Sequence, residues 1–197
     1  MNNLFSSLFS CFKQKKGYFL LLCLVTILAI ILGIYAGISF SGGVLVIDLG
    51  NISYIKFLQN DTSLFSMIFA LALSLIIFFV LILLFSCKTF LLPLALIFYM
   101  YLVYSQAVIC VSVVMIYGFL NCIILLLVLI VYVAIIIFLF VLGMLHMACF
   151  TNDVCYFKNC FTPRNYILWL LIAVVLVCVI FSFLLSILKS FVILLVY

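Results

Sequence analysis

Charge is the scarcest property of this sequence. Of its 197 residues 6% are charged, only three are acidic, and one is a histidine. Ordinary globular domains carry roughly 25% charged residues, so a water-soluble domain is excluded. The net charge of +5 comes from eight Lys and Arg residues placed at the ends of apolar runs, and these form no basic stripe of the kind that a phosphate backbone requires. Nucleic acid is therefore not an expected partner, and membrane lipids are.

Proline is also rare, with two in the chain, so little interrupts long helices. A hydrocarbon core of roughly 30 Å needs about 20 apolar residues per helix. The apolar stretch 89–147 is about twice that length, and we divide it near Gly118 and Asn121, the turn-favouring residues at its middle. The sequence thus predicts an all-α, polytopic membrane protein with one membrane domain over 1–197. Its five spans are predicted at residues 18–40, 64–85, 89–114, 120–145 and 166–188.

Basic residues predict the orientation of these spans, because Lys and Arg near span ends are retained on the cytoplasmic side. With five crossings and the N-terminus inside, the C-terminus lies outside. Six basic residues then fall inside, namely Lys13, Lys15, Lys16, Lys88, Lys158 and Arg164, and two fall outside, Lys56 and Lys189. The first sixteen residues are amphipathic at helical spacing and predict a short N-terminal interfacial helix. The tail after Lys189 either extends the last helix or lies at the interface.

No predicted span contains an Asp, Glu, His, Lys or Arg that could serve inside the bundle. Asp48, Asp61 and Asp153 fall in loops, and His146 lies at a span end. Membrane enzymes and ion pathways usually place such groups inside the bundle, and acid–base or nucleophilic catalysis requires them. We therefore expect a protein that is not an enzyme and that needs no cofactor.

One cluster offers metal-ligand chemistry. His146, Cys149, Cys155 and Cys160 lie within fifteen residues, and zinc takes four such ligands. Their spacing lacks the paired Cys-x2-Cys arrangement, so reduced thiols in a cytoplasmic loop are the favoured interpretation. Two acceptor patterns for N-glycosylation begin at Asn51 and Asn60, and they would matter only in a eukaryotic secretory membrane.

Two groups of residues are candidates for helix packing. Gly33 and Gly37 are four apart in the first span, a spacing that lets a second helix approach closely. In the third span, Tyr101, Tyr104 and Gln106, together with Ser105, bring polar side chains that need partners away from lipid. Hydrogen bonding between helices is the favoured role for this polar strip, and a small-ligand pocket is the alternative.

The order of these segments resembles the stage II sporulation protein M family. The resemblance rests on "KQKKGYFLLLCLVTILAIILGIYAG", on the loop 41–63, on "FLQNDTSLFSMIFALALSLIIFFVLILLF" and on "YMYLVYSQAVICVSVVMIYGFLNCIILLLVLIVY", in order from about Lys13 to Met147. It implies a non-catalytic component of the bacterial plasma membrane that recruits peptidoglycan-remodelling partners, including cell-wall hydrolases, during engulfment of the forespore. The resemblance implies no site residue.

Two other functions remain open from the residues: a small membrane subunit of a multi-protein transporter, and a membrane-bound metal or thiol site built on the loop from His146 to Cys160. A small membrane subunit of a multi-protein transporter would share the same composition and number of spans. The segment "VYVAIIIFLFVLGML", residues 131–145, is also similar to a helix in subunit six of respiratory NADH dehydrogenase. The glycine that follows Tyr-Val in that helix is absent here.

Overall fold

A computed structural model describes residues 16–39, 56–57, 63–86, 89–119, 122–150 and 163–196. Within these ranges the chain forms five long helices and no strand. They are α1 (Lys16–Ser39), α2 (Leu64–Ser86), α3 (Leu92–Tyr117), α4 (Ile123–Phe150) and α5 (Pro163–Val196). A short 3₁₀ turn, Thr89–Leu91, precedes α3. The predicted interfacial helix at residues 1–16 lies almost wholly outside the described residues.

All five helices are long and apolar enough to cross a membrane, judged by length and composition. At 1.5 Å per residue, the 24 residues of α1 extend about 36 Å, and a helix satisfies its own backbone hydrogen bonds where water is absent. Large apolar side chains point outward on every helix, among them Leu20, Phe69 and Phe138. The prediction of an all-α chain with five membrane-length helices is confirmed for the described residues.

The long apolar stretch is divided at Gly118, as predicted. α3 ends at Tyr117, and Gly118 adopts a positive φ of 76°, which glycine accommodates without the steric cost of a Cβ atom. The Gly118 N–H donates to the Val114 carbonyl at 2.9 Å, and the Cys122 N–H donates to the Gly118 carbonyl at 3.2 Å. These bonds satisfy backbone groups that the two helix ends would otherwise leave open.

The helix ends differ from the predicted span ends by a few residues. The third span is predicted to begin at residue 89, but α3 begins at Leu92. Pro93 lies in its first turn, where a missing N–H costs nothing. α4 continues past residue 145 to Phe150. α5 continues through Lys189 to Val196, so the tail extends the last helix.

The five helices do not pack simply in chain order. α1 packs chiefly on α3, and α3 also contacts α2 and α4; α2 contacts α5, which pairs with α4. The centre is aromatic and apolar: the Phe79 and Phe140 rings meet edge to face with centroids 5.2 Å apart. Gly143 leaves room for this pair, since a Cβ there would lie 3.3 Å from the Phe79 ring. α3 is the most deeply buried of the five helices, so it carries the interior side chains on which a site could be built.

Candidate functional site

The contact between α1 and α3 contains most of the residues that the sequence singles out. Gly33 and Gly37 both lie against α3. A Cβ atom added at Gly33 would stand 2.7 Å from the Tyr104 carbonyl oxygen and 2.7 Å from the Ala107 Cβ. One added at Gly37 would stand 2.7 Å from the Val111 Cβ. All three distances are shorter than the contacts that real Cβ atoms make. The close approach of the two backbones therefore depends on glycine at positions 33 and 37.

A buried hydrogen bond joins the same two helices nearer the start of α1. Thr26 Oγ1 lies 2.7 Å from the Tyr99 hydroxyl oxygen and 2.7 Å from the Leu22 carbonyl oxygen. The threonine hydroxyl has one proton, and it donates to the carbonyl, which can only accept. The Tyr99 hydroxyl therefore donates to Thr26. Tyr99 is fully buried, so this bond satisfies a phenol that would otherwise be unpaired inside the protein.

Sequence reasoning did not single out Thr26 or Tyr99. A signal was nevertheless present, because Tyr99 and Gln106 are seven residues apart and share one face of α3. The buried side chains of that face recur at helical spacing. They are Tyr99, Leu102, Val103, Gln106, Ile109 and Val113. The tyrosine that belongs to this series is Tyr99, whereas the polar strip predicted from the sequence contains Tyr101 and Tyr104.

The polar residues of α3 are spread over more than one face. The Tyr101 ring stacks on Phe78 of α2 with centroids 5.7 Å apart, and it lies 6.4 Å from the Tyr104 ring. Gln106 is buried at 2% exposure and lies about 140° around the helix from Tyr101. Ser105 is also buried, and its hydroxyl donates to the Leu102 carbonyl at 2.8 Å. The predicted strip is thus spread around α3: the Tyr101 ring contacts α2, and Ser105 bonds to its own helix.

A second polar contact joins α4 and α5. The Tyr132 hydroxyl lies 3.7 Å from Cys178 Sγ, a weak hydrogen bond in either direction. The Tyr132 ring also stacks on Phe181, with centroids 3.9 Å apart and planes inclined by 13°. An aromatic pair of this kind contributes about 0.5–1.5 kcal/mol beyond the area it buries, so Tyr132 links the two helices through both its ring and its hydroxyl.

The metal-site residues are only partly covered by the structure. His146 and Cys149 lie in the last two turns of α4, whereas Cys155 and Cys160 lie outside the described residues. Among the described residues, no group of three or more His, Cys, Asp or Glu side chains could hold a metal ion. The four-ligand hypothesis therefore stays a prediction.

Thiols occur inside the bundle and at one turn. The cysteines whose side chains are described, Cys23, Cys110, Cys122 and Cys178, are free. Cys122 belongs to the turn between α3 and α4 and is fully buried. Burial raises the pKa of the Cys122 thiol above its usual value, and the backbone N–H of Cys122 itself, which favours the thiolate, opposes that shift in part. The thiol form, which reacts poorly, is therefore favoured at this turn.

These contacts define a polytopic helical membrane protein whose described interior is held by glycine packing, hydroxyl hydrogen bonds and aromatic stacking. Comparison of the chain with protein-family models, with curated proteins and with solved structures finds no match.

Proposed function

We propose that this chain is a non-catalytic, multi-pass scaffold of the bacterial plasma membrane that positions other envelope proteins. Its partners would be peptidoglycan-remodelling enzymes, including cell-wall hydrolases, or their anchors, as in the stage II sporulation protein M family that the sequence resembles. The N-terminus would lie in the cytoplasm and the C-terminus outside.

The observation that carries this proposal is the chemistry of the buried polar groups. In the described part of the bundle, beside the hydroxyls of Tyr99 and Tyr132 and the thiols of Cys122 and Cys178, they are four serines and one glutamine: Ser74, Ser86, Ser105, Gln106 and Ser182. Each is uncharged at every physiological pH. Such groups can bond neighbouring helices, at about 1 kcal/mol or less per hydrogen bond, but they cannot supply a general acid, a general base or an ion-binding charge.

A second observation concerns where a membrane partner could lie. α1 packs chiefly on α3, with a smaller contact to α4, and much of the rest of its circumference is exposed among the described residues. The exposed side chains form a continuous apolar stripe along its length: Leu20, Leu24, Ile27, Ile31, Tyr35 and Ile38. A stripe of this kind can meet lipid or a partner helix with equal ease, since lipid tails are as apolar as leucine. A scaffold needs such an uncommitted face.

The test is identification of the proteins bound to the chain in its own membrane. Cells expressing a tagged chain would be crosslinked, solubilised in mild detergent and analysed by mass spectrometry, with a tagged unrelated five-span protein at equal abundance as the control. Specific recovery of cell-wall hydrolases or their anchors would support the proposal. Recovery of a nucleotide-binding or substrate-binding transport protein would replace it with the transporter-subunit function, and recovery of respiratory NADH dehydrogenase subunits would replace it with a respiratory one.

An independent measurement addresses the absence of catalysis and conduction. The purified chain would be reconstituted alone in liposomes and assayed for ion flux with a voltage-sensitive dye and for hydrolysis of peptidoglycan fragments. The scaffold proposal expects neither activity. Flux or turnover above that of protein-free liposomes would contradict it.

A further inference from the structure

Tyr104 lies on the outer side of α3, between the contacts of α3 with α1 and with α2. On one side Ala107 lies against Gly33 of α1, and on the other side the Tyr101 ring stacks on Phe78 of α2. Ala107 and Tyr101 are each three positions from Tyr104, which is about 60° around the helix in opposite directions. α1 and α2 pack far less on each other than on α3, so part of α3 stays uncovered between them.

This uncovered part continues along α3 in both directions. Ile97 lies seven residues before Tyr104 and Met115 lies eleven residues after it, and both spacings return to nearly the same side of a helix. Ile97 is 62% exposed and Met115 is 53% exposed, while Tyr104 is partly exposed. These three residues are called the Tyr104 face below. Its ends are apolar, and its centre is a phenol.

The Tyr104 hydroxyl has no hydrogen-bond partner among the described residues. The Tyr104 ring contacts the Tyr101 ring, with centroids 6.4 Å apart, but no described donor or acceptor bonds its oxygen. The Tyr101 oxygen is enclosed by the bundle, whereas the Tyr104 oxygen is not. Tyr104 therefore offers a hydrogen-bond donor and acceptor to a group outside this chain.

The depth of Tyr104 decides what that group is. Tyr104 follows Leu92 by twelve residues and precedes Met115 by eleven, and these two residues bound the membrane-length part of α3. About 16–18 Å of helix therefore lies on each side of Tyr104, much further than a tyrosine side chain reaches. Lipid offers only hydrocarbon at this depth, and a polar group left unpaired in hydrocarbon is costly. Lipid tails do not satisfy the hydroxyl, whereas a protein side chain at the same depth does.

A second copy of this chain supplies such a side chain through its own Tyr104. Oligomers of one chain most commonly form about a two-fold axis. Two copies inserted in the same orientation are related by an axis along the membrane normal, so each residue and its counterpart lie at the same depth. A hydroxyl both donates and accepts, so two Tyr104 hydroxyls can bond each other.

We propose that the Tyr104 face is the interface of a homodimer, in which the Tyr104 hydroxyls of the two copies form a hydrogen bond across a two-fold axis. Ile97 and Met115 lie at the two ends of this contact. The dimer is independent of the scaffold proposal, because the Tyr104 face belongs to α3 and leaves the exposed apolar stripe of α1 available to other proteins.

The experiment measures self-association of the purified full chain in liposomes. Energy transfer between donor-labelled and acceptor-labelled copies would be followed over a range of protein-to-lipid ratios, with the labels at the N-terminus. The unmodified chain should dimerise. Tyr104→Phe removes the hydrogen bond and keeps the ring, so the dissociation constant should rise about threefold. Tyr35→Phe is the matched control, since Tyr35 is 69% exposed on α1, and it should leave the dissociation constant unchanged.

Cysteine crosslinking locates the contact. Tyr104→Cys should form a disulfide-linked dimer when membranes are treated with a lipid-permeable oxidant. Ile27→Cys and Ile77→Cys are matched controls, because they lie near the middle of α1 and α2 and replace side chains that are 59% and 50% exposed. Neither should crosslink more than the unmodified chain, whose native cysteines give the background.

Four results would overturn the proposal. The unmodified chain could be monomeric at every dilution, or Tyr104→Phe could associate as tightly as Tyr35→Phe. Ile27→Cys or Ile77→Cys could crosslink better than Tyr104→Cys, which would place the contact on another helix. A lower melting temperature for monomeric Tyr104→Phe than for the unmodified monomer would show that the hydroxyl has its partner within the chain.

Discussion

The Tyr99 hydroxyl donates a hydrogen bond to Thr26 Oγ1 across 2.7 Å, and the two residues are 73 positions apart in the chain. With the glycine contacts of Gly33 and Gly37, this bond fixes the position of α1 along α3. The three contacts lie along one face of α1, about three turns from first to last. They are thus separate restraints on one helix pair, and each can be removed alone.

Two substitutions that each remove the hydrogen bond between Thr26 and Tyr99 should lower the free energy of unfolding by different amounts. Tyr99→Phe deletes the donor and leaves Thr26 bonded to the Leu22 carbonyl, so we expect a loss of about 0.6 kcal/mol. Thr26→Val leaves the fully buried Tyr99 hydroxyl without its partner, so we expect about 1–3 kcal/mol. Thermal unfolding in detergent measures both. Tyr35→Phe, at a tyrosine 69% exposed, is the control and should change little; equal losses for Tyr99→Phe and Tyr35→Phe would contradict the assignment.

Glycine at position 33 should be essential for the contact between α1 and α3. Gly33→Leu places a side chain where even a Cβ would lie 2.7 Å from backbone atoms of α3, and overpacking of this kind costs about 1–3 kcal/mol. We expect a clear fall in melting temperature. Gly17→Leu is the matched control, because no atom of the described residues lies within 4 Å of a Cβ at that position of the same helix. A Gly33→Leu protein as stable as Gly17→Leu would exclude the close approach.

The Cys122 thiol should be slow to alkylate and should require a higher pH than an exposed thiol. Burial raises its pKa, and only the thiolate reacts. The rate of iodoacetamide modification, resolved by peptide mass spectrometry, should therefore still be rising at pH values where an exposed cysteine has reached its plateau. Phe119→Cys introduces that exposed reference, since Phe119 is 58% exposed in the same turn. If Cys122 reached its plateau at the same pH as the introduced thiol or a lower one, the burial argument would fail.

The proposed orientation predicts opposite labelling of two polar segments. Asn60→Cys should react with a membrane-impermeant maleimide added to intact cells. Asn159→Cys should react only after the membrane is opened, because Lys and Arg residues concentrate on its side of the membrane, which is the predicted cytoplasmic side. Labelling of the unmodified chain measures the background from native cysteines. Protection of the cysteine at position 60 together with labelling at position 159 would reverse the orientation.

The cluster His146, Cys149, Cys155 and Cys160 should hold no zinc. The purified chain is expected to contain less than about a tenth of an equivalent by elemental analysis, because its ligand spacing departs from that of structural zinc sites. The double substitution Cys155→Ser and Cys160→Ser should leave both the metal content and the melting temperature unchanged. One equivalent of zinc in the unmodified chain, lost in the double variant, would establish a metal site.

The number and approximate limits of the helices could be predicted because apolar length is a strong signal in a membrane. The turn at Gly118 could also be predicted, since Gly118 and Asn121 are the turn-favouring residues near the middle of the stretch. The pairing of helices could not. In water, an apolar face marks the core, but here Leu20 faces outward and Leu22 is fully buried, and both are leucine. When the surroundings are as apolar as the interior, hydropathy no longer distinguishes the two.

Small and polar residues were more informative than hydropathy, although incompletely. Gly33 and Gly37 were identified by spacing alone, and both lie at the close contact with α3. Thr26 was not identified, because a single hydroxyl in an apolar helix usually bonds its own backbone, as Thr26 does to Leu22. Its second bond, to Tyr99, depends on which helix lies opposite, and no local pattern specifies that.

The pairing of the first helix with the third has a consequence for biosynthesis. Chains are made from the N-terminus at about 5–20 residues per second, so the 73 residues between Thr26 and Tyr99 take about 4 to 15 seconds to synthesise. During that interval α1 has entered the bilayer while its glycines and its threonine still face lipid or the insertion machinery. Newly made α1 is therefore a transiently unassembled helix, and a factor that shields such helices would act on this chain before α3 emerges.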